Sequence, residues 1–186
     1  MKPWIRMTFF ALLVVVQIAV PASMIAGREV TLRQGQLYRF RTAPVDPYDP
    51  FRGRFVAIGL RPATAPLPKG VQLEYSQEVY VTLGTDKEGY AYVERTSLTR
   101  PDGGDYVRVK ASPHSGGAEA SIRWPIDRYY MDEHMAPEAE RAYRQRDRGE
   151  QREAYAAVRV RNGNAVLEDL YIEGVPVADF IRAENE

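Results

Sequence analysis

The chain has no cysteine, which removes disulfides, thiolate metal sites, iron–sulfur clusters and a cysteine nucleophile together. Cysteine absence fixes no compartment, because it suits oxidising spaces and the cytosol alike. Surplus charge is missing as well. With 25 Lys and Arg against 25 Asp and Glu, the basic excess that displaces counterions from nucleic acid is not there, and nucleic acid is not an expected partner. Histidine is scarce, two in 186 residues. His114 lies in a Ser-Pro-His-Ser-Gly loop and His134 in a polar run. Neither has the spacing of a metal-ligand pair, so no metal is expected. A Gly-x-Ser-x-Gly elbow and a phosphate-binding glycine loop are also lacking; Gly103-Gly104 and Gly116-Gly117 are isolated turn pairs. No catalytic residue, metal ligand or cofactor is assigned.

What the chain does have is one long apolar run. Arg6 and Arg28 bracket 21 residues without a charge (7–27). As helix at 1.5 Å per residue they span about 31 Å, close to the hydrocarbon thickness of a bilayer. Lys2 and Arg6 precede the run, and the positive-inside tendency leaves them in the cytoplasm with the remainder outside. Trp4 occupies an interfacial position. The expected division is an anchor at 1–27, touching the bilayer through residues 5–26, and an exported domain at 28–186. A cleaved signal competes: Lys2 and Arg6 form its n-region, residues 9–20 its apolar centre, and Pro21 a breaker. No Ala-x-Ala follows, however; Val20-Pro21-Ala22 is the nearest approach. The features favour the anchor.

Beyond residue 27 the balance is 23 basic (25 minus Lys2 and Arg6) against 25 acidic residues. The exported part is mixed in sign and rich in tyrosine, and no basic patch to hold anionic lipid or nucleic acid is expected. Short alternating runs rich in β-branched and aromatic residues dominate: 37–41, 55–58, 78–83, 90–93, 105–110 and 118–124. Residues 157–161 and 165–167 flank Asn162-Gly163, whose left-handed conformations suit a tight hairpin. One surface helix is predicted at 137–151, with Pro137 first, Glu138 and Glu140 near its positive end, and a Glu140–Arg144 pair. The expected fold class is mainly β, α+β in detail: an N-terminal membrane helix, then one antiparallel domain with one surface helix.

The most unusual stretch is PVDPYDPFRGRFVAIGL, residues 44–60. Pro44, Pro47 and Pro50 recur at the polyproline II period, setting the Asp46 and Asp49 carboxylates about 9 Å apart on one edge, too far to share a cation. This stretch resembles the signature of the GDYXXLXY family of bacterial membrane-anchored proteins. Pro44, Asp46, Pro47, Asp49, Pro50, Arg52, Gly53 and Val56 carry the likeness, and Ile58 stands for the motif leucine. Arg54 replaces the motif aspartate, Phe55 its first tyrosine and Leu60 its last. A second block, residues 125–133, is similar to the family's C-terminal half, where a charged helix and a closing hairpin at 157–174 follow. The resemblance implies a bacterial inner-membrane protein with one crossing and its C-terminal domain in the periplasm. It implies no particular reaction.

Three functional classes fit these residues. The favoured one is a non-catalytic accessory protein that binds an integral membrane protein near the outer face of the bilayer. Asp46, Asp49, Arg52 and Gly53 from the stiff segment, with Arg128, Tyr129 and Glu133 from the second block, are the candidate partner-binding residues. The second is a signal-peptidase-like Ser-Lys hydrolase, using Ser23 of the Ser23-Met24 pair. Lys69 and Lys87 fall in loops, leaving Lys110 as the sole strand-borne base, and such a base needs desolvation. The third is a periplasmic ligand-binding module using Tyr80, Tyr90, Tyr92, Tyr106, Tyr129 and Tyr130, residues that at strand spacing more often form half-buried cross-strand pairs.

Overall fold

The computed structural model describes residues 3–44, 55–68, 70–114, 117–130 and 154–184. It opens with helix α1 (Pro3–Gln34), 32 residues and so about 48 Å long. The helix passes unbroken through Pro21, the residue that the cleaved-signal alternative takes as a breaker. Prolines are tolerated inside helices of this apolar kind. The hydroxyls of Thr8 and Ser23 donate to the carbonyls of Trp4 (3.0 Å) and Val20 (2.7 Å), so neither presents an unpaired polar group to its surroundings. Leu12, Leu13, Val15 and Ile18 are all exposed. None of the described residues covers this stretch, and α1 is long and apolar enough to cross a bilayer.

The strands follow in the order β1 (Gln36–Pro44), β2 (Phe55–Leu60), β3 (Thr64–Pro66), β4 (Gln77–Thr85), β5 (Ala91–Ser97), β6 (Tyr106–Pro113), β7 (Glu119–Arg123), β8 (Arg128–Tyr130), β9 (Ala154–Arg161), β10 (Asn164–Ile172) and β11 (Val175–Pro176), and helix α2 (Val177–Glu184) ends the described chain. They form a six-stranded sheet, β11-β10-β9-β1-β2-β8, and a five-stranded sheet, β3-β7-β6-β4-β5. Neighbours within each sheet pair antiparallel. The mainly β expectation holds.

Strand alternation builds a core shared by both sheets. On β4, Val79, Val81 and Leu83 point inward; on β6, Val107, Val109 and Ala111 do so while Arg108 and Lys110 face out. The six-stranded sheet contributes Phe40, Ile58, Val158, Val160 and Leu170 to the same cluster. Phe40 meets Trp124 edge to face, with ring centroids 4.9 Å apart, a favoured aromatic geometry. Two isolated parallel bridges, Arg39 to Tyr90 and Val107 to Gly163, stitch the sheets at their margins.

The Asn162-Gly163 hairpin is present, with φ of 50° and 86°, the two positive values a type I′ turn requires. At the β4–β5 turn, Asp86 Oδ1 accepts from the backbone N–H of Glu88 (2.9 Å) and Tyr90 (2.8 Å). β3, β11 and α2 lie outside the expectation: β3 sits in the Pro-rich stretch 61–70, where no strand is expected, and β11 and α2 follow the closing hairpin. Val177 and Ile181, one helical turn apart, bury α2 against the core. The helix predicted at 137–151 lies outside the described residues.

Candidate functional site

The junction between α1 and the β domain is built from close backbone packing. Thr31, in the last turn of α1, is 2% exposed, and its hydroxyl donates to the Gly27 carbonyl at 3.0 Å. Gly35 N–H then donates to the Thr31 carbonyl at 2.9 Å, closing the helix. A β-carbon at Gly35 would stand 2.4 Å from that carbonyl oxygen and 3.0 Å from the carbonyl of Val160 on β9, so only glycine fits. Arg159 on β9 reaches across to the Gly35 carbonyl at 3.3 Å while its guanidinium holds Glu168 of β10 at 2.6 and 3.3 Å. The helix leaves the apolar run already docked on β9 and β10.

Beside this junction runs a trough. Its first part, about 700 Å³, is walled by Met24, Gly27 and Arg28 of α1, by Arg108 of β6, by Asp127 and Arg128 at the start of β8, and by the first residues of β10. A second part of about 420 Å³ shares Arg108, Pro125, Asn164 and Ala165 with the first and adds Glu78, Lys110 and Arg123. The two are brought together by the β9–β10 turn. Gly163 comes against the Tyr106 ring, and its carbonyl accepts from the N–H of Arg108 at 3.0 Å. Five cations (Arg28, Arg108, Lys110, Arg123, Arg128) thus face two carboxylates, Glu78 and Asp127. This corrects the expectation of no basic patch: the fold assembles one from four separate segments that spacing along the chain does not bring together. Arg28 has no ion-pair partner among the described residues. Arg108 is 3.8 Å from Glu78 and Arg128 is 3.5 Å from Asp127.

The candidate residues of the two sequence blocks divide between described and undescribed parts. Asp46, Asp49, Arg52, Gly53 and Glu133 lie outside the described residues, as does His134. Arg128 and Tyr129 are on β8, which pairs with β2, so that Val56 registers with Tyr129 and Ala57 with Arg128. The blocks that carry the family resemblance therefore sit on adjacent strands. Arg128 lines the trough. Tyr129 instead turns its hydroxyl to Asp169 Oδ1 at 2.8 Å, where the β9–β10 pairing shifts register.

Tyr38 makes the matching contact on the other strand flank, donating to Asp105 Oδ2 at 2.9 Å. Burial chiefly, then the hydrogen bond to the carboxylate and its negative charge, push both phenols above the ordinary tyrosine value of 10.0. A raised folded-state pKa stabilises the fold fully below the unfolded value and loses that stabilisation as pH rises through the folded one. Melting temperature should therefore fall from about pH 10 upward, more steeply for the native chain than for Tyr38→Phe/Tyr129→Phe. Parallel alkaline profiles for the two would refute the assignment.

The residues of the two alternative readings are placed as follows among the described residues. Ser23 lines the first part of the trough and Lys110 the second, but Lys110 is exposed and pairs in register with Arg123; it has none of the desolvation a lysine base needs. Of the candidate tyrosines, Tyr80, Tyr90, Tyr92 and Tyr106 pack on other tyrosines or on the backbone. Tyr80 meets Tyr106 at 5.8 Å, Tyr155 stacks on Tyr171 at 4.9 Å and meets Tyr90 at 6.1 Å, and Tyr92 lies over Gly84. Among the described residues no tyrosine lines either part of the trough. His114 is exposed and bonded to Ser121 Oγ at 2.9 Å. Among the described residues no group of three His, Asp or Glu is placed to hold a metal.

Comparison with curated proteins and with solved structures finds no match. The family described as GDYXXLXY protein matches over residues 17–170, from the middle of α1 to β10, and so takes in the junction and both parts of the trough. With most of its 186 residues inside that match, the chain belongs to the GDYXXLXY family.

Proposed function

We propose that the protein is a non-catalytic accessory subunit, anchored once in the inner membrane, whose periplasmic β domain binds an integral membrane protein close to the bilayer. The observation that carries this reading is the junction. α1 continues without a break from the apolar run into the packed contacts of Thr31 and Gly35. Such a junction holds the domain at one height and one orientation, as suits a surface presented to a membrane neighbour, and ordering it at the moment of binding costs little. Retention of α1 as an anchor suits the same contacts, since cleavage near residue 22 would leave the docked turn as a stub. Asp46, Asp49, Arg52 and Gly53, with Arg128, Tyr129 and Glu133, are the residues proposed to meet the partner.

A crosslinking pull-down from membranes tests this, comparing the native chain with Asp49→Ala/Arg52→Ala and with Lys110→Ala. One integral membrane protein should be recovered with the native chain and the Lys110 variant and lost from the double variant. No partner in any sample, with a processing defect in the Lys110 variant, would transfer the reading to a Ser-Lys hydrolase. External protease on spheroplasts should digest the domain and spare an N-terminal fragment.

A further inference from the structure

We propose that the trough at the α1 junction seats the phosphate headgroup of an anionic phospholipid from the leaflet in which α1 ends. Position is the first support. The trough begins at Met24, Gly27 and Arg28, where the uncharged run stops and a crossing helix reaches the headgroup layer. Met24 and Ile25 are each 70% exposed there, an apolar flank along which acyl chains can lie while the headgroup turns into the trough.

Chemistry is the second support. Arg28, Arg108 and Arg128 converge from α1, β6 and β8 on one concavity. The planar guanidinium fork matches phosphate oxygens in pairs, which a lysine ammonium does not. Asn164 adds an amide at the shared rim. The first part, at about 700 Å³, is far larger than a lone phosphate ion needs and lies within the range of sites for small organic ligands. An acidic protein segment would meet the same charges, but it would leave the exposed apolar turn at Met24 and Ile25 without a partner. A lipid satisfies both.

The inference rests on α1 being retained as an anchor, and the mass of the membrane-extracted chain tests that separately. A mature N-terminus beyond the apolar run would overturn the anchor and the lipid site together. With the full-length chain confirmed, native mass spectrometry from detergent micelles titrated with phosphatidylglycerol or phosphatidylcholine tests the site alone. Three basic groups near a headgroup predict a preference for phosphatidylglycerol of roughly tenfold or more. Arg28→Gln/Arg108→Gln/Arg128→Gln should reduce it to near parity, with circular dichroism unchanged. Arg61→Gln/Lys87→Gln/Arg95→Gln removes the same charge from exposed positions elsewhere and should keep it. An absent preference in the native chain, its survival in the trough variant, or its equal loss in the control would each overturn the proposal. So would a photocrosslinker at Asn164 that captures a polypeptide instead of lipid in native membranes.

Discussion

Phe40→Ala is expected to cost about 3–5 kcal/mol, the range for removing a fully buried phenylalanine. Phe40 is 1% exposed on β1, which lies between β9 and β2 inside the six-stranded sheet. Its ring supports Trp124, whose indole N–H is held by the Pro62 carbonyl at 2.9 Å. Truncation removes the transfer contribution of the ring and leaves a cavity that two hydrogen-bonded sheets cannot close. For a domain of this size each kcal/mol lowers Tm by about 2–4 °C, so a fall of roughly 6–20 °C is expected. Leu37→Ala, three residues earlier on the opposite face and 38% exposed, should change stability by no more than about 0.5 kcal/mol, as surface substitutions do. Equal losses from the two variants in thermal melts of the detergent-solubilised chain would refute the shared core.

Gly35→Ala is expected to disrupt the helix–domain junction without unfolding the sheets. The added methyl would meet two backbone carbonyls and the Arg159 β-carbon, and backbone, unlike the tip of a long side chain, cannot swing aside. The last turn of α1 must give, or the helix must lift from β9. Because the chain has no cysteine, Ile25→Cys and Glu94→Cys supply a unique pair for spin labels. Their distance distribution should be narrow in the native background and broad or displaced with Gly35→Ala. An unchanged narrow distribution would show that the junction is not what holds the domain's orientation, and would weaken the accessory reading with it.

Local pattern made much of this fold legible. Val79, Val81 and Leu83 alternate with polar neighbours, Asn162-Gly163 calls for one turn type, and the apolar run of α1 has no competing reading as a strand. α2 was legible too: Pro176 precedes it, Asp179 lies in its first turn, and Val177, Phe180 and Ile181 keep helical spacing. It is short and follows a closing hairpin, which drew the boundary too early. β3 was hidden by the prolines around it, since three residues are too few to alternate. The trough is a different case. Arg28, Arg108 and Arg128 are 80 and 20 positions apart, and their meeting depends on the β9–β10 turn docking on β6, a non-local contact that spacing does not encode. The net charge of the whole chain conceals it, because carboxylates elsewhere balance these cations.

The placement of β1 between β2 and β9 also governs the chain's synthesis. Leu37 registers with Arg159, 122 positions later (159 minus 37). At ribosomal speeds of about 5–20 residues per second, β1 therefore waits roughly 6–24 s for that neighbour. Through the interval its outer edge is an open row of peptide groups, the kind of edge that recruits strands from other chains. β2 can pair with β1 early, but the six-stranded sheet cannot close until its C-terminal hairpin has been made. A chain still growing is therefore an unfinished sheet held beside its own N-terminal helix, and only the arrival of β9 turns that open edge into an interior strand.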